Sequence, residues 1–174
     1  GSCDECSISV LVNFDFYVIN DLHGKFDDSD SQPGVDELSS YLRAAQFGNE
    51  NTILLSSGDM WQGAAESNLT KGMIITDWMN ELDFVSMTIG NHEFDYGRSQ
   101  LFKLMNLLDA EVVNANFSSL DTNRLVFKPY RIIRYGEVDV AYIGFTTTTT
   151  MDMVSPLTFK DEKGNIYTAE NNLI

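Results

Sequence analysis

The sequence predicts an α/β fold that combines a mostly parallel sheet with additional antiparallel strands. Strand-like apolar runs alternate with helix-like segments between residues 8 and 115, and this alternation is typical of parallel sheets with right-handed crossovers. Two β-rich runs at 128–135 and 137–145, separated by Gly136, indicate an antiparallel hairpin. A chain of 174 residues that is 43% hydrophobic can form one domain with a core.

The order of the elements follows from local patterns along the chain. Helices are predicted where apolar side chains recur every three or four residues, at 34–47, 73–82 and 98–108. Strands are predicted where apolar residues alternate or run together, at 8–19, 52–56, 84–89 and 111–115. Residues 60–63 are predicted to form a loop with Trp61 at its tip, and residues 151–174 are polar with little pattern.

The acidic composition limits the classes of partner. The formal net charge is -15 at pH 7, and a surface with that charge repels the phosphate backbone of nucleic acids. We therefore expect no nucleic-acid polymer as a partner, although a phosphate ester stays open as a substrate where bound cations reverse the local charge. No apolar run is long enough to cross a bilayer, so no transmembrane segment is predicted.

Residues 1–7 are predicted to be a terminal segment, and residues 8–174 the folded part. Gly1 and Ser2 are typical of a scar left by cloning. Cys3 and Cys6 form a single CxxC, a weak signal for zinc without a second cysteine pair. A frayed pair and a disulfide are the interpretations left open. A cysteine near the start also suits a lipid-anchored surface protein.

The first of three polar turns follows the strand pattern that ends at Ile19. Asp21 and His23 are separated by one residue, so both side chains can reach the same ion. A carboxylate oxygen with an imidazole nitrogen suits zinc, manganese or iron better than calcium. Taken alone, a pair of this kind is more often a surface ion pair.

The second turn places Asp59 directly after Gly58, beyond the strand pattern at 52–56. An ionised carboxylate has two oxygens and can bridge two cations about 3.5–4 Å apart, the spacing found in two-metal hydrolases. An aspartate in this setting is equally typical of a turn cap. Asp59 by itself therefore supports either role.

The third turn, residues 90–95, contains one of the two histidines in the chain. Asn91 offers an amide oxygen to a metal and an N–H group to a phosphate oxygen. His92 is predicted to point toward the substrate, and Asp95 can accept a hydrogen bond from its ring. Such a pair can protonate a leaving alkoxide, although a simple strand-end turn explains Asn91 and His92 equally well in isolation.

The three turns carry more information together than separately. Each follows a predicted strand, and in parallel sheets function collects at the carboxyl ends of the strands. Carboxylates, imidazoles and an amide that meet at one edge of the sheet predict metal-dependent chemistry.

These turns resemble the motifs of the calcineurin-like metallophosphoesterases. The most similar branch is that of the 5'-nucleotidases, which includes secreted bacterial members with 2',3'-cyclic phosphodiesterase activity. The resemblance covers about residues 14–150. It rests on Asn20-Asp21-Leu22-His23-Gly24, Ser57-Gly58-Asp59-Met60-Trp61-Gln62-Gly63, Gly90-Asn91-His92-Glu93-Phe94-Asp95-Tyr96-Gly97, Asn114-Ala115-Asn116-Phe117 and Val140-Ala141-Tyr142-Ile143-Gly144-Phe145-Thr146.

The resemblance implies the N-terminal portion of a four-layer α/β/β/α sandwich around two divalent metal ions, such as Zn²⁺ or Mn²⁺. It implies hydrolysis of nucleotide phosphate monoesters, and of cyclic diesters as well. His92 and Asp95 would form the catalytic pair, and Asn91 and His92 would contact the substrate phosphate. Asp59 would bridge the two metals. The full set of implied metal ligands is Asp21, His23, Asp59 and Asn91.

One departure from the family pattern bears on activity. The family has further metal-ligating histidines downstream, a lone histidine and then an H-x-H pair, whereas this chain has no histidine after His92. From the resemblance we also expect that residues 8–174 lack the C-terminal part of the family's catalytic domain and its nucleoside-binding domain. We therefore expect part of a longer protein, inactive or weakly active by itself, which holds no metal or one weakly bound metal.

Two other functions remain open. The chain can be a non-catalytic binding or remnant module that keeps the fold, or an acidic surface protein with chance motifs. The resemblance and the acidic, cysteine-bearing start favour an extracellular, periplasmic or cell-surface location. The substrate, the metal and the oligomeric state are not determined by the sequence.

Overall fold

The computed structural model describes residues 11–28, 33–161 and 163–169. The predicted terminal segment at 1–7, with Cys3 and Cys6, lies outside the described residues. Within the described part of the chain, no helix has the length and apolar character needed to cross a membrane.

The predicted parallel sheet is present and has four strands in the order β1-β2-β3-β4. The strands are β1 (Asp15–Ile19), β2 (Thr52–Ser56), β3 (Ser86–Met87) and β4 (Glu111–Val112). The register pairs Ile19 with Ser56, and Ser56 with Met87. The carboxyl ends of β1, β2 and β3 therefore lie at one edge of the sheet, and the loops that follow them begin side by side.

Helices between these strands pack on one face of the sheet. They are α1 (Val35–Gly48), α2 (Ala65–Thr70), α3 (Met73–Glu81) and α4 (Arg98–Leu107). Their buried apolar residues, such as Leu42 and Met79, share one core with Leu54 and Met87 of the sheet. Each such side chain contributes about 1.5–3 kcal/mol when it is removed from water. The three helices that the periodicity predicted, α1, α3 and α4, are confirmed.

Antiparallel strands occupy the later part of the chain. The elements here are β5 (Phe117–Ser119), β6 (Arg124–Leu125), β7 (Tyr130–Tyr135), β8 (Val138–Ile143), α5 (Thr150–Met153) and β9 (Tyr167–Ala169), with a 3-10 helix at Pro156–Phe159. The predicted hairpin is confirmed, with β7 and β8 paired along their whole length and Gly136 at φ 60° in the turn. A separate three-stranded sheet has the order β6-β5-β9. The α/β class with parallel and antiparallel strands is therefore confirmed.

The strand predicted at 8–19 was too long. Within the described residues it is limited to β1, and residues 11–14 have no regular structure. The physical reason is the register, since Asp15 lies opposite Thr52, the first residue of β2. Residues before Asp15 extend beyond the start of the neighbouring strand, so its ladder of hydrogen bonds does not reach them.

Trp61 is buried, and the prediction that it lies at a loop tip was wrong. Its side chain is only 1% exposed. The chain turns inward here because α2 follows directly and Ser67 donates a hydrogen bond to the carbonyl oxygen of Trp61. No prediction included α2, since Ser67 is its one buried residue and the helix has no apolar stripe. The strand β9 was missed in the same way, within a segment dominated by polar residues.

The face of the sheet opposite the helices carries apolar side chains that stay exposed in the described chain. Phe16 and Val18 of β1 are 49% and 55% exposed, while Tyr17 and Ile19 pack toward the core. A groove of about 400 Å³ runs along this face, between β1 and β8. A four-layer sandwich requires a further layer here, so that arrangement stays a prediction.

Candidate metal centre

Three loops leave the carboxyl edge of the sheet next to one another. We call them the first loop (residues 20–24), the second loop (57–63) and the third loop (90–95). Backbone hydrogen bonds join the first loop to the second, with Asp21 N 3.2 Å from Gly58 O and His23 N 3.0 Å from Asp59 O. These bonds fix the spacing between the candidate ligands of the first loop and Asp59.

Three candidate ligands have left-handed backbone conformations. The φ angles are 52° at Asp21, 51° at His23 and 55° at Asp59. Non-glycine residues rarely adopt positive φ, and such residues cluster at functional sites where the surrounding structure holds them in place. Here the interloop hydrogen bonds hold them. The left-handed conformation directs these side chains differently from the way an extended strand end would.

Glycine residues allow the second and third loops to touch. A Cβ atom on Gly58 would lie 2.4 Å from the backbone nitrogen of Gly90. A Cβ atom on Gly90 would lie 2.2 Å from Oδ1 of Asp59. Both distances are well inside van der Waals contact, so only glycine permits this approach. The carboxylate of Asp59 therefore lies directly against the third loop.

The imidazole of His23 has one nitrogen fixed by the protein and one free to bind a ligand. Its Nδ1 is 3.0 Å from the carbonyl oxygen of Gln62. A carbonyl only accepts hydrogen bonds, so Nδ1 carries a proton, and in the neutral ring the lone pair is on Nε2. Nε2 is 3.8 Å from Oδ1 of Asp21. A hydrogen bond from one ring nitrogen to a carbonyl oxygen is the usual way in which proteins orient a histidine whose other nitrogen binds a metal.

His23, Asp59 and His92 converge on one point. Each offers a ligand atom, and these atoms all lie within 4.8 Å of one another. The rings of His23 and His92 meet edge to face, with centroids 4.9 Å apart. Sequence spacing suggested that His92 points away from the metal ligands and toward the substrate. The structure places the ring of His92 beside the ring of His23 and the carboxylate of Asp59. In this position the ring can contact a metal, or a phosphate bound to that metal.

Asp21 and Asn91 lie at the margins of this group. The side chain of Asp21 is 60% exposed, and it accepts a hydrogen bond from Asn20. Asn91 is half-buried and precedes the 3-10 helix His92–Phe94, where its carbonyl oxygen accepts a hydrogen bond from Phe94 N at 3.4 Å. The structure therefore brings His23, Asp59 and His92 together, with Asp21 on the side of the first loop and Asn91 on the side of the third.

His92 and Asp95 form the expected pair. Nδ1 of His92 is 2.7 Å from Oδ2 of Asp95, across one turn of the 3-10 helix. The hydrogen bond to Asp95 raises the pKa of His92, while partial burial opposes this effect. The backbone N–H of His92 donates to Oδ1 of Asp59 at 2.8 Å. The imidazole is thus held from two directions, through its ring and through its backbone.

Glu93 has a position that sequence reasoning missed. Its side chain is buried, with 1% of the residue exposed. Its carboxylate accepts hydrogen bonds from the backbone N–H groups of Asp59 (2.7 Å), Met60 (2.8 Å) and Gly90 (2.7 Å). Burial raises its pKa to about 7, although these hydrogen bonds lower it. The sequence offered one indication of this role: Glu93 is an acidic residue placed between His92 and the apolar Phe94, in a turn that follows a buried strand.

A second buried network supports the start of the third loop. Thr146 donates from Oγ1 to the carbonyl oxygen of Ile89 at 2.5 Å. Asn114 donates from Nδ2 to the same hydroxyl, and Asn116 exchanges two hydrogen bonds with the backbone of Thr146. In the sequence these residues stand out only through their resemblance to a family motif. In the structure they anchor the residue that precedes Gly90.

Comparison with known proteins assigns a family to this arrangement. The family model described as calcineurin-like phosphoesterase matches residues 14–169. The snake venom 5'-nucleotidase of Crotalus adamanteus is 32% identical over 164 residues, covering 86% of this chain and 27% of that protein. The 5'-nucleotidase of Vibrio cholerae is 32% identical over 159 residues, covering 83% and 28%. The chain thus spans little more than a quarter of the length of these relatives.

Solved structures share the fold of this chain. The calcineurin-like phosphoesterase YfkN from Bacillus subtilis shares the fold with a TM-score of 0.76 at 23% identity, covering 88% of this chain and 53% of that one. The Haemophilus influenzae NAD nucleotidase gives a TM-score of 0.74 at 26% identity, covering 90% and 30%. With its fold, its three polar loops and its matching residues, the chain belongs to the calcineurin-like phosphoesterase family.

Proposed function

We propose that the protein is a metal-dependent phosphohydrolase of the 5'-nucleotidase type, which hydrolyses nucleotide phosphate monoesters and cyclic diesters. The observation that carries this proposal is the convergence of His23, Asp59 and His92, whose ligand atoms lie within 4.8 Å of one another. Membership of the calcineurin-like phosphoesterase family supports the reaction class. Relatives named 5'-nucleotidases support a nucleotide as the substrate.

The donor set fits divalent transition metals. His23 offers Nε2 because Nδ1 is committed to the carbonyl of Gln62, and Asp59 offers carboxylate oxygens beside it. Mixed imidazole and carboxylate ligands suit Zn²⁺ or Mn²⁺. Two such ions, when bound, supply Lewis-acid stabilisation of the phosphate charge and an activated water. Asp21 and His23 would hold the first ion, Asp59 would bridge, and Asn91 would hold the second.

His92 supplies the proton for the leaving group. Its Nδ1 bonds to Asp95, which fixes the ring and raises the pKa of the imidazole. The imidazolium then holds a second proton at Nε2, which it donates to the leaving alkoxide oxygen as the phosphorus–oxygen bond breaks. The amide of Asn91 donates a hydrogen bond to a phosphate oxygen and orients it against His92. Asp95 accepts the hydrogen bond from Nδ1 and so stabilises the imidazolium.

The charge of the chain makes substrate binding dependent on the metals. A formal charge of -15 repels a phosphate anion, so the bound cations must reverse the sign locally. The same charge argues against a nucleic-acid polymer as the partner. Relatives named as venom proteins support a location outside the cytoplasm.

An assay on the full-length protein tests this function. Phosphate release from a nucleoside 5'-monophosphate and ring opening of a 2',3'-cyclic nucleotide are measured with Zn²⁺ or Mn²⁺. Asp59→Asn removes the bridging charge and should lower the rate by about 100-fold or more. Asp77→Asn makes the same chemical change at an exposed position of α3 and should leave the rate unchanged. Equal rates for the two variants would refute the two-metal mechanism.

A non-catalytic binding module is the second candidate. The chain has two histidines and none after His92, so few imidazole ligands are available for a second ion. Under this alternative the 174-residue chain binds at most one metal ion, weakly, and hydrolyses no phosphate ester. Metal uptake combined with no hydrolysis of either nucleotide would favour it over the enzyme.

A further inference from the structure

A buried carboxylate beneath the candidate metal centre connects the second loop to the third. We infer that Glu93 is a positioning residue, which holds Asp59 and the residues 90–92 in register by binding three backbone N–H groups at once. This inference deepens the proposed function and rests on it, since the side chains that Glu93 positions are those proposed to bind metal and phosphate.

The three hydrogen bonds come from two separate loops. Oε2 of Glu93 accepts from Asp59 N and from Gly90 N, both at 2.7 Å, and Oε1 accepts from Met60 N at 2.8 Å. A carboxylate is an acceptor at both oxygens, so it satisfies all three donors with one side chain. All three donors lie at ordinary hydrogen-bond distance from these oxygens. One residue therefore joins two loops that are distant in sequence.

Glu93 affects the candidate metal centre through its hydrogen bond with Asp59. The φ of Asp59 is 55° and lies in the left-handed region, which is uncommon for residues other than glycine and is found most often where the surrounding structure holds the residue in place. Glu93 binds its N–H group, His23 N donates to its carbonyl oxygen, and His92 N donates to its Oδ1. Loss of the bond from Glu93 would free one end of this strained residue. The carboxylate that is proposed to bridge two metals would then lose its fixed direction.

Burial argues that Glu93 acts through other residues and does not contact substrate or metal itself. Only 1% of the residue is exposed, and both of its oxygens already accept backbone N–H groups. A metal ligand or a general base would need an oxygen directed at the open side of the site. His92, its neighbour, is half-buried and does face the other candidate ligands.

Substitution by glutamine separates this role from simple packing. Glutamine has nearly the same shape, but it offers one acceptor oxygen and a donating amide group. If the oxygen keeps Asp59 N and Gly90 N, the amide faces the N–H group of Met60, donor against donor. Aspartate keeps both acceptor oxygens on a side chain that is one methylene shorter. We therefore expect metal affinity to fall from the wild type to Glu93→Asp, and to fall further in Glu93→Gln.

The experiment uses the full-length protein and measures Mn²⁺ binding by calorimetry together with kcat and KM for a nucleoside 5'-monophosphate. Glu93→Gln should bind Mn²⁺ roughly 10- to 100-fold more weakly, and Glu93→Asp should recover part of that loss. The matched control, Glu66→Gln on the exposed side of α2, should change neither quantity. A fall in thermal stability of Glu93→Gln with unchanged metal affinity and kcat would overturn the inference.

Hydrogen exchange on the wild-type protein covers the case in which Glu93→Gln does not fold. The backbone amides of Asp59, Met60 and Gly90 should exchange slowly, although all three lie in loops next to an open site. Exchange of these three amides at the rate of an unstructured peptide would overturn the inference. If the wild type binds no metal and hydrolyses nothing, the proposed function fails, whereas slow exchange of these three amides still supports the link made by Glu93.

Discussion

The backbone N–H of His92 donates a hydrogen bond to Oδ1 of Asp59 at 2.8 Å. This bond joins the loop after β3 to the loop after β2 at the point where the candidate ligands meet. It also leaves the ring of His92 free to pair with Asp95 and to lie 4.9 Å from the ring of His23. The geometry of the site thus depends on contacts between loops, and the predictions below test several of them.

The pairing of His92 with Asp95 should be visible in a titration of the metal-free chain. The hydrogen bond to Asp95 raises the pKa of His92, so it should exceed the usual value of about 6.5. Since the folded pKa lies above the unfolded one, the pair stabilises the fold fully below about pH 6.5. That contribution is lost as the pH rises through the folded value.

Nitrogen-detected NMR of the imidazoles measures this pKa directly, and the chain has only two histidines to resolve. Asp95→Asn should lower the pKa of His92, because a neutral amide stabilises the imidazolium less. Asp77→Asn on α3 serves as the control and should have no effect. A His92 pKa that is the same with Asp95 and with Asn at that position would show that the pair does not act on the imidazole.

Gly90→Ala should destabilise the chain and weaken metal binding. The added Cβ would lie 2.2 Å from Oδ1 of Asp59, so the carboxylate or the loop must move. Forced contacts of this kind cost about 1–3 kcal/mol, measured by urea unfolding. Gly48→Ala, at the end of α1, meets no atom within 4 Å. That control should be neutral or stabilising by up to about 1 kcal/mol, and equal losses in both variants would contradict the prediction.

Thr146→Val should loosen the start of the third loop. Valine has a similar shape but lacks the hydroxyl that bonds to Ile89 O and Asn114 Nδ2. Leaving buried partners unsatisfied costs about 1–3 kcal/mol in unfolding free energy. Thr147→Val changes an exposed threonine in the same run and should cost much less. The prediction fails if chemical unfolding gives the two variants the same stability.

Metal stoichiometry distinguishes the 174-residue chain from a complete two-metal site. After removal of metal with a chelator, calorimetric titration with Mn²⁺ should show at most one equivalent bound. Asp59→Asn should abolish this uptake, because Asp59 supplies the carboxylate of the candidate group that it forms with His23 and His92. Asp77→Asn should retain it. Two tightly bound equivalents in the unmodified chain would contradict this expectation.

The sequence alone was sufficient to predict those elements whose pattern lies within one short segment of the chain. The helices α1, α3 and α4 follow from apolar residues at helical spacing, and the hairpin follows from two β-rich runs around Gly136. The three polar loops were predicted to meet because parallel strands present their carboxyl ends at one edge. Asp21, His23, Asp59, Asn91 and His92 do lie on those neighbouring loops.

Other features could not be predicted, because their causes lie in distant parts of the chain. The length of β1 depends on where β2 begins, and the burial of Trp61 depends on a helix with no apolar stripe. The direction of the His92 ring depends on a 3-10 turn and on the bond from its backbone to Asp59. Sequence spacing alone carries no information about either contact.

The sequence by itself determined the fold class, the family resemblance and the set of polar residues at the edge of the sheet, since periodicity and motif spacing are local properties. Only the tertiary structure decided which of those residues meet and what Glu93 does. Its carboxylate binds backbone N–H groups 33 and 34 residues away. A backbone N–H group has no identity in the sequence, so a residue that recognises such groups becomes visible only when the chain is folded.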